Sequence, residues 1–309
     1  MTPRLLVVVG PTASGKTALA CDLAERLDGE IVSADSQQCY RGLDAGTAKP
    51  GPSERARAPH HLLDVADPEE QLDAARFVQL ADAAIADVAR RDKRAIVVGG
   101  TGLWIRALLR GLVAAPGASG EFRATLRAEL EREGLSALHA RLSRVDPDAA
   151  RTIRPNDRVR IERALEVHAL SGRRLSDLQR EHGFAEERYP ARIVHLDPPR
   201  ELLHERIAIR THALFESGTL ERETRWLLDR CERIPAARKA LKIIGYEEMA
   251  AALAGRSSRA EAEERAFART RQYAKRQRTW FRKEYGPAPE FPPDAARLCA
   301  DAARWYEGA

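Results

Sequence analysis

A short glycine-rich segment near the start of the chain carries the residue types that bind a phosphate group. It consists of eight consecutive residues: Gly10, Pro11, Thr12, Ala13, Ser14, Gly15, Lys16 and Thr17. Glycines at this spacing let backbone N–H groups converge on phosphate oxygens, and the dipole of a following helix favours an anion there. Lys16 adds a full positive charge, and the Thr17 hydroxyl is placed to ligate Mg²⁺. The segment predicts a diphosphate site and a reaction that transfers the group carried by that diphosphate.

Two further polar residues follow predicted strands. Asp35 comes directly after the run 30–34, and Thr101 lies in the glycine-rich turn after the run 94–98. Because ligands bind at the carboxyl ends of the strands in open α/β sheets, both side chains should lie near the phosphate. There the Asp35 carboxylate either binds Mg²⁺, as in a kinase, or acts as a general base. Alternatively, Asp35 serves as a cap or an ion-pair partner, and the glycines around Thr101 serve only a tight turn.

Arginines are concentrated in three later segments. Arg206 and Arg210 are one helical turn apart and could close over the phosphates, although exposed helix arginines are more often simply solvated. Four arginines occur in the ten residues 154–163, and seven Lys or Arg without an acid occur in 269–283. Aromatic residues alternate with the charges of 269–283, a combination typical of RNA-binding surfaces. For both segments the alternative is a solvated helix face.

The elements that position these residues alternate between strands and helices. Strands are predicted at 4–9, 30–34, 94–98 and 191–196. Helices are predicted at 16–27, at 74–90 and from about 103 onward. Apolar strands joined by helices indicate a parallel α/β sheet that is covered on both faces. We expect a P-loop NTPase-like sheet core at 1–115 and 190–309, interrupted by an all-helical insert at 116–189, with a loosely structured tail from Gly286.

Composition excludes several classes of protein. The 309 residues are 44% apolar and 31% charged, and no apolar run approaches the roughly 18 residues that span a bilayer. The four cysteines are scattered, so a disulfide framework or zinc site is not expected. His60 and His61 lack a third ligand at metal spacing and are interpreted as part of a loop. The short apolar run at the start is interpreted as a strand and not as a signal sequence. We expect a cytoplasmic monomer that does not contact membranes.

Taken together, the motifs resemble those of one family, the bacterial-type tRNA dimethylallyltransferases, also called tRNA isopentenyltransferases. The matching segments lie at 10–17, 33–38, 40–50, 59–62, 98–103, 163–167, 244–247 and 269–280. In the same order they read GPTASGKT, SADSQQ, YRGLDAGTAKP, PHHL, VGGTGL, RALEV, IGYE and RTRQYAKRQxTW. Some of these motifs also occur in other P-loop proteins, but the ordered set is specific to the family.

The resemblance implies that the glycine-rich loop holds dimethylallyl diphosphate, with Mg²⁺ at Thr17. It implies that the acceptor is N6 of adenine 37, beside the anticodon, in tRNAs that read codons beginning with U. Asp35 would be the general base, and Thr101 would hold the base or the diphosphate. Lys16 and Arg210 would stabilise the departing pyrophosphate.

The resemblance also implies an extended contact with the tRNA anticodon stem-loop, in which the helical insert grips the RNA. The implied contacts are Asp35, Ser36, Gln37, Gln38, Thr101, Arg123, Val159, Arg160, Ile161, Glu162, Arg163, Lys242, Ile243, Ile244, Gly245, Tyr246, Glu247, Arg269, Arg271, Gln272, Lys275 and Arg276. Three residues depart from the family's usual pattern, Cys39, Trp104 and Ile243, and these affect packing or RNA contact.

Three other functions remain open at this point. A P-loop kinase of a small metabolite would use the same glycine-rich loop, and an isopentenyltransferase of free adenine nucleotides would also use Asp35. A non-catalytic RNA-binding protein would use neither the glycine-rich loop nor Asp35 for chemistry. The long helical insert and the basic segment 269–283 favour an RNA substrate over a small one.

Overall fold

Five parallel strands form a single sheet in the order β3-β2-β4-β1-β5. The strands are β1 (Leu5–Val9), β2 (Gly29–Ser33), β3 (His60–His61), β4 (Arg94–Gly99) and β5 (Ala191–His195). The computed structural model describes residues 2–289 and 291–307. Every residue of β1 is buried, because helices cover both faces of the sheet, as the uniformly apolar strands predict.

The register of the strands aligns their carboxyl ends at one edge. Val9 of β1 is paired with Gly99 of β4 and with His195 of β5. Ser33 of β2 is paired with Val98. The segments that follow these strands therefore emerge side by side, and the residues predicted to do chemistry lie in those segments.

The helices follow in chain order, and their bounds are α1 (Lys16–Leu27), α2 (Pro52–Arg57), α3 (Ala74–Arg90), α4 (Gly102–Arg110), α5 (Gly120–Glu133), α6 (Leu135–Val145), α7 (Pro147–Thr152), α8 (Arg158–Ser171), α9 (Leu175–His182), α10 (Arg200–Glu216), α11 (Thr219–Arg233), α12 (Tyr246–Leu253), α13 (Arg259–Tyr285) and α14 (Ala295–Glu307). A 3-10 helix spans Pro235–Lys242 between α11 and α12. No helix in the described ranges is both long and apolar enough to cross a membrane.

The chain divides into two compact units, one made of Met1–Leu109 and Arg188–Ala309 and the other of Arg110–Glu187. In the first unit, α3 and α4 cover one face of the sheet, where the rings of Phe77 and Trp104 stack 4.5 Å apart. On the other face, α1 packs on the sheet together with α14. Helices α11 to α13 enclose a further apolar cluster. The predicted parallel α/β class is confirmed.

The second unit contains helices α5 to α9 around a small apolar core. Leu126, Leu138 and Ile161 are fully buried in it. The carboxylate of Glu166 is also fully buried, and it accepts hydrogen bonds from the guanidinium groups of Arg123 and Arg163. A buried charge is tolerated here because its oxygens are fully hydrogen-bonded.

Two local predictions are wrong. The segment after Gly286 is not a loose tail, because α14 within it packs on the sheet. The Tyr306 hydroxyl accepts a hydrogen bond from the Leu6 N–H at 3.1 Å and donates one to the Ala95 carbonyl at 2.9 Å. Apolar residues at helical spacing in α14, which the prolines before it obscured, explain this packing. His60 and His61 form the edge strand β3, although the sequence predicts a loop there.

Candidate functional site

The glycine-rich loop connects β1 to α1 and leaves backbone N–H groups at the start of the helix. Gly15 has a φ of 89°, a conformation that other residues rarely adopt. A side chain at Gly10 would meet the Leu196 carbonyl oxygen at 2.7 Å, so only glycine fits. The Lys16 ammonium donates a hydrogen bond to the Pro11 carbonyl at 3.2 Å, which holds it over the loop. The Thr17 hydroxyl has no hydrogen-bonding partner in the described ranges. The loop therefore has the form of an anion site.

Gln277 of α13 ties this loop to the turn that follows β4. Its side-chain oxygen accepts a hydrogen bond from the Thr12 N–H at 2.9 Å. Its amide nitrogen donates one to the Gly100 carbonyl, also at 2.9 Å. A side chain at Gly100 would collide with Gln277, which explains the glycine there. One buried amide thus fixes the spacing between two loops at the sheet edge.

Asp35 and Thr101 lie at this edge, on neighbouring segments. One oxygen of the Asp35 carboxylate accepts a hydrogen bond from the Gln37 N–H at 2.9 Å. The Thr101 hydroxyl oxygen accepts one from the Ser36 N–H at 3.0 Å and donates one to the Ser36 hydroxyl at 3.2 Å. Thr101 therefore orients the turn that presents Asp35, and the second carboxylate oxygen is left for a ligand.

A cavity, here called the central pocket, joins Asp35 to helices α10 and α13. Its lining residues are Thr12, Asp35, Gln37, Gly46, Thr47, Arg210, Thr211, Leu214, Ile244, Gly245, Ala266, Thr270 and Tyr273. A second cavity of about 700 Å³ shares Arg210 and Leu214 with it. One wall of the central pocket is polar and the other, around Leu214 and Ile244, is apolar. The chemistry of its lining therefore matches a ligand that has a charged part and a hydrocarbon part.

Two cations, Arg210 in the lining of the central pocket and Lys16 in the adjoining glycine-rich loop, have no carboxylate partner at contact distance among the described residues. Burial lowers the pKa of Lys16 to about 8, with Asp35 opposing this shift and Arg210 adding to it. Burial also lowers the pKa of Arg210, again opposed by Asp35. Within the described ranges neither cation forms an ion pair with a carboxylate. Two partly buried cations left unpaired beside one carboxylate are suited to an anionic ligand.

Arg206 contacts the glycine-rich loop directly. Its guanidinium donates a hydrogen bond to the Ser14 carbonyl at 3.4 Å, and it lies 5.6 Å from the ring of Phe291. Both arginines of α10 that the sequence suggested therefore reach the phosphate-binding region. Arg206 supports the loop backbone, whereas Arg210 faces the pocket.

The pocket wall formed by Gly46 and Thr47 is held by two buried networks. The Lys49 ammonium, 1% exposed, donates to the carboxylates of Asp44 and Asp64 at 2.5 and 2.6 Å. Glu223 accepts hydrogen bonds from the Ala45 N–H at 3.1 Å and from the Tyr246 hydroxyl at 2.5 Å. These contacts keep the wall fixed beside Asp35.

The basic helix α13 uses some of its charges within the protein. Arg269 forms ion pairs with Glu247 and Glu248, and Arg278 and Arg282 both bind the buried carboxylate of Asp197. The exposed side chains of this helix include those of Gln272, Lys275 and Arg276. With Arg271, two of these, Gln272 and Lys275, line a groove of about 530 Å³ between α10 and α13.

The predicted RNA-contacting residues of the second unit differ in exposure. Val159 is 75% exposed and Arg160 is exposed, whereas Ile161 is fully buried in the core. Arg123 and Arg163 are about one-third exposed and are bound to Glu166. In the first unit Ile243 and Tyr246 are buried. The buried side chains can support an RNA surface but cannot themselves face solvent.

Two residues of the site, Gln277 and Tyr273, were not predicted as site residues from the sequence. Both lie in the segment 269–280, which was interpreted through its charges. Their spacing of four residues places them on one face of α13. That spacing is the signal that could have identified them.

A family model described as IPP transferase matches residues 38–284. A tRNA dimethylallyltransferase of Anaeromyxobacter dehalogenans is 56% identical over 295 residues, which are 94% of this chain and 97% of the relative. One from Geobacter metallireducens is 52% identical over 281 residues, which are 91% of this chain and 90% of the relative.

Solved structures give the same result. A tRNA isopentenylpyrophosphate transferase of Bacillus halodurans superposes with a TM-score of 0.70 at 35% identity, covering 99% of this chain and 97% of the other. A eukaryotic dimethylallyltransferase described as acting on tRNA superposes with a TM-score of 0.83 at 26% identity, covering 99% of this chain and 80% of the other.

Proposed function

Because the chain belongs to the IPP transferase family, we propose that it transfers a dimethylallyl group from dimethylallyl diphosphate to a tRNA. The acceptor is N6 of adenine 37 in the anticodon stem-loop of tRNAs that read codons beginning with U. We further propose that it acts in the cytoplasm, as a monomer. The kinase and the free-nucleotide prenyltransferase are not favoured.

The observation that carries this proposal is the set of charges formed by Asp35 and Arg210 of the central pocket together with Lys16 of the adjoining loop. Lys16 and Arg210 lie near the Asp35 carboxylate without an ion-pair partner of their own. A diphosphate supplies the missing negative charge, and the apolar wall at Leu214 and Ile244 suits a branched five-carbon chain. The free oxygen of Asp35 is then available to accept a proton from the base.

The proposed reaction breaks one bond and forms one. The exocyclic amine of adenine is a poor nucleophile, so C1 of the prenyl chain must first become electrophilic. Lys16, Arg210 and the N–H groups of the loop stabilise the negative charge that grows on the diphosphate as its bond to C1 breaks. N6 then bonds to C1, and its proton passes to Asp35. An ordinary carboxylate suffices, because the N–H becomes strongly acidic as the new bond forms.

The residues present fit a bound Mg²⁺. The Thr17 hydroxyl lies at the start of α1 without a protein partner, and hard oxygen donors beside a diphosphate are what this ion prefers. When bound, the ion neutralises part of the diphosphate charge. Thr17 would hold it.

The RNA must present adenine outside the stacked anticodon loop, which costs a few kcal/mol. We propose that the exposed side chains of α13, with those of Val159 and Arg160 in the second unit, contribute contacts that offset this cost. Lys275 and Arg276 are exposed cations in the first unit. Such contacts should make RNA binding sensitive to salt.

The proposal is tested by incubating the protein with labelled dimethylallyl diphosphate, Mg²⁺ and an anticodon stem-loop RNA that contains A36 and A37. Digestion to nucleosides should reveal N6-dimethylallyladenosine at position 37 only. Parallel reactions receive AMP, or an RNA with A37 replaced by guanosine, and should give no product. Incorporation into AMP but not RNA, or ATP turnover without any prenyl transfer, would overturn the proposal.

A further inference from the structure

One aromatic residue faces the central pocket without a role in the mechanism above. Tyr273 lies on α13 one turn before Gln277, and it lines the pocket together with Thr12, Asp35 and Arg210. Thr12 belongs to the glycine-rich loop, Arg210 is the unpaired cation, and Asp35 is the proposed base. Tyr273 therefore lies where the diphosphate, the prenyl chain and the base converge.

The hydroxyl of Tyr273 differs from several other tyrosine hydroxyls of the same unit. Three of those donate to a protein oxygen: Tyr189 to Asp82 at 2.8 Å, Tyr246 to Glu223 at 2.5 Å, and Tyr306 to the Ala95 carbonyl at 2.9 Å. Across residues 2–289 and 291–307, the Tyr273 hydroxyl forms no hydrogen bond with the protein. Its ring lies 5.8 Å from the guanidinium of Arg276. A half-buried donor that faces a pocket without a protein partner is suited to bind a ligand oxygen.

The surroundings also fix the protonation state of this group. Burial, and secondly the carboxylate of Asp35, raise the pKa of the Tyr273 phenol well above its ordinary value. The hydroxyl consequently remains protonated throughout the neutral range. It can donate a hydrogen bond to an anion, and it cannot compete with Asp35 as a base.

We propose that the Tyr273 hydroxyl donates a hydrogen bond to the diphosphate oxygen that leaves C1 of the prenyl chain, which makes Tyr273 a further catalytic residue. This inference rests on the proposed function. As the C1–O bond breaks, its electron pair stays on that oxygen, N6 of adenine bonds to C1, and the N6 proton passes to Asp35. Tyr273 keeps its own proton, and its hydrogen bond strengthens as negative charge grows on the oxygen. Lys16 and Arg210 supply net charge, whereas Tyr273 supplies a directed contact at the bond that breaks.

The test compares Tyr273→Phe with wild type and with the matched control Tyr189→Phe. The phenylalanine keeps the ring, and no protein hydrogen bond is lost at position 273, so the free energy of unfolding should stay unchanged. Tyr189 adjoins the amino end of β5, at the opposite edge of the sheet from the central pocket. Two measurements are made on each protein: the single-turnover rate of prenyl transfer to the stem-loop RNA, and the Kd for pyrophosphate by calorimetry.

Tyr273→Phe should lower the single-turnover rate on the order of 10²-fold, the loss expected for one preorganised donor. It should raise the Kd for pyrophosphate by about 10-fold, as for a hydrogen bond to a charged group. Tyr189→Phe should change neither value. An unchanged rate and Kd, or a rise only in the KM for RNA, would overturn the inference. If wild type proves unable to transfer a prenyl group, the proposed function fails, and the pyrophosphate Kd still decides the role of Tyr273.

Discussion

Replacing Gln277 by methionine should weaken both the sheet edge and the diphosphate site, because one side chain connects them. Methionine has a similar volume but removes the acceptor for the Thr12 N–H and the donor to the Gly100 carbonyl. A buried backbone group that loses its partner costs about 1–3 kcal/mol. Thr12 is half-buried and can reach water, whereas Gly100 is buried. We therefore expect Gln277→Met to lower the free energy of unfolding by about 2–4 kcal/mol.

Urea unfolding followed by tryptophan fluorescence measures this change, because Trp280 lies on the same helix. Gln272→Met is the matched control: Gln272 is an exposed glutamine of α13, so its loss should cost less than about 0.5 kcal/mol. Gln277→Glu keeps the acceptor for Thr12 but sets an anion beside the phosphate loop. The Kd for pyrophosphate should therefore rise more in Gln277→Glu than in Gln277→Met. Equal unfolding energies in both methionine variants would refute the connecting role of Gln277.

Three further changes test other parts of the structure. Asp35→Asn should lower the single-turnover rate by about 10²- to 10⁴-fold with little change in the Kd for RNA; a wild-type rate would exclude Asp35 as the base. Burial lowers the pKa of Lys16 to about 8, so pyrophosphate affinity should fall as pH rises through that value. Lys16→Arg should flatten this profile, and identical profiles would contradict the assignment. Although burial raises the pKa of Glu166, hydrogen bonds from Arg123 and Arg163 outweigh it and hold the pKa below the ordinary value of 4.5. Its stabilisation is therefore present above that pH and lost as pH falls, and Glu166→Gln should cost about 2–4 kcal/mol. Hydrogen exchange should show the loss at neutral pH within residues 110–187, and protection equal to wild type would contradict it.

Local patterns in the sequence were sufficient to predict the sheet and its main helices. The apolar runs that became β1, β2 and β4 occur because both faces of these strands are buried, and such runs have few other interpretations. The edge strand β5 is only partly buried. The glycine-rich loop was equally clear, since its spacing has a single structural explanation. Asp35 and Thr101 were placed by the rule that ligands lie at the carboxyl ends of parallel strands, whereas Arg210 was suggested by its spacing of one helical turn from Arg206.

Features that depend on distant contacts could not be predicted in this way. The two-residue strand β3 is too short to show any period, and it exists only because β2 offers it an edge. Gln277 acquires its role from two loops that lie far away in sequence. From its sequence context Lys49 would be taken for a surface lysine, but in the structure its ammonium group is buried and paired with the carboxylates of Asp44 and Asp64. In each case the role depends on a partner that contacts the residue or strand only in the folded protein, so the local sequence does not reveal it.

Because α14 packs on the sheet, it also determines when the protein can fold during its own synthesis. Strand β1 leaves the ribosome early, but its neighbours β4 and β5 follow later in the chain. Tyr306, whose hydroxyl accepts a hydrogen bond from the Leu6 N–H of β1, follows later still. The contiguous unit Arg110–Glu187 needs no such partners and can fold as soon as it emerges. A ribosome that stalls before α14 therefore leaves a helical unit attached to a sheet on which α1 covers one face only in part. Such incomplete chains should be selective targets for chaperones and proteases.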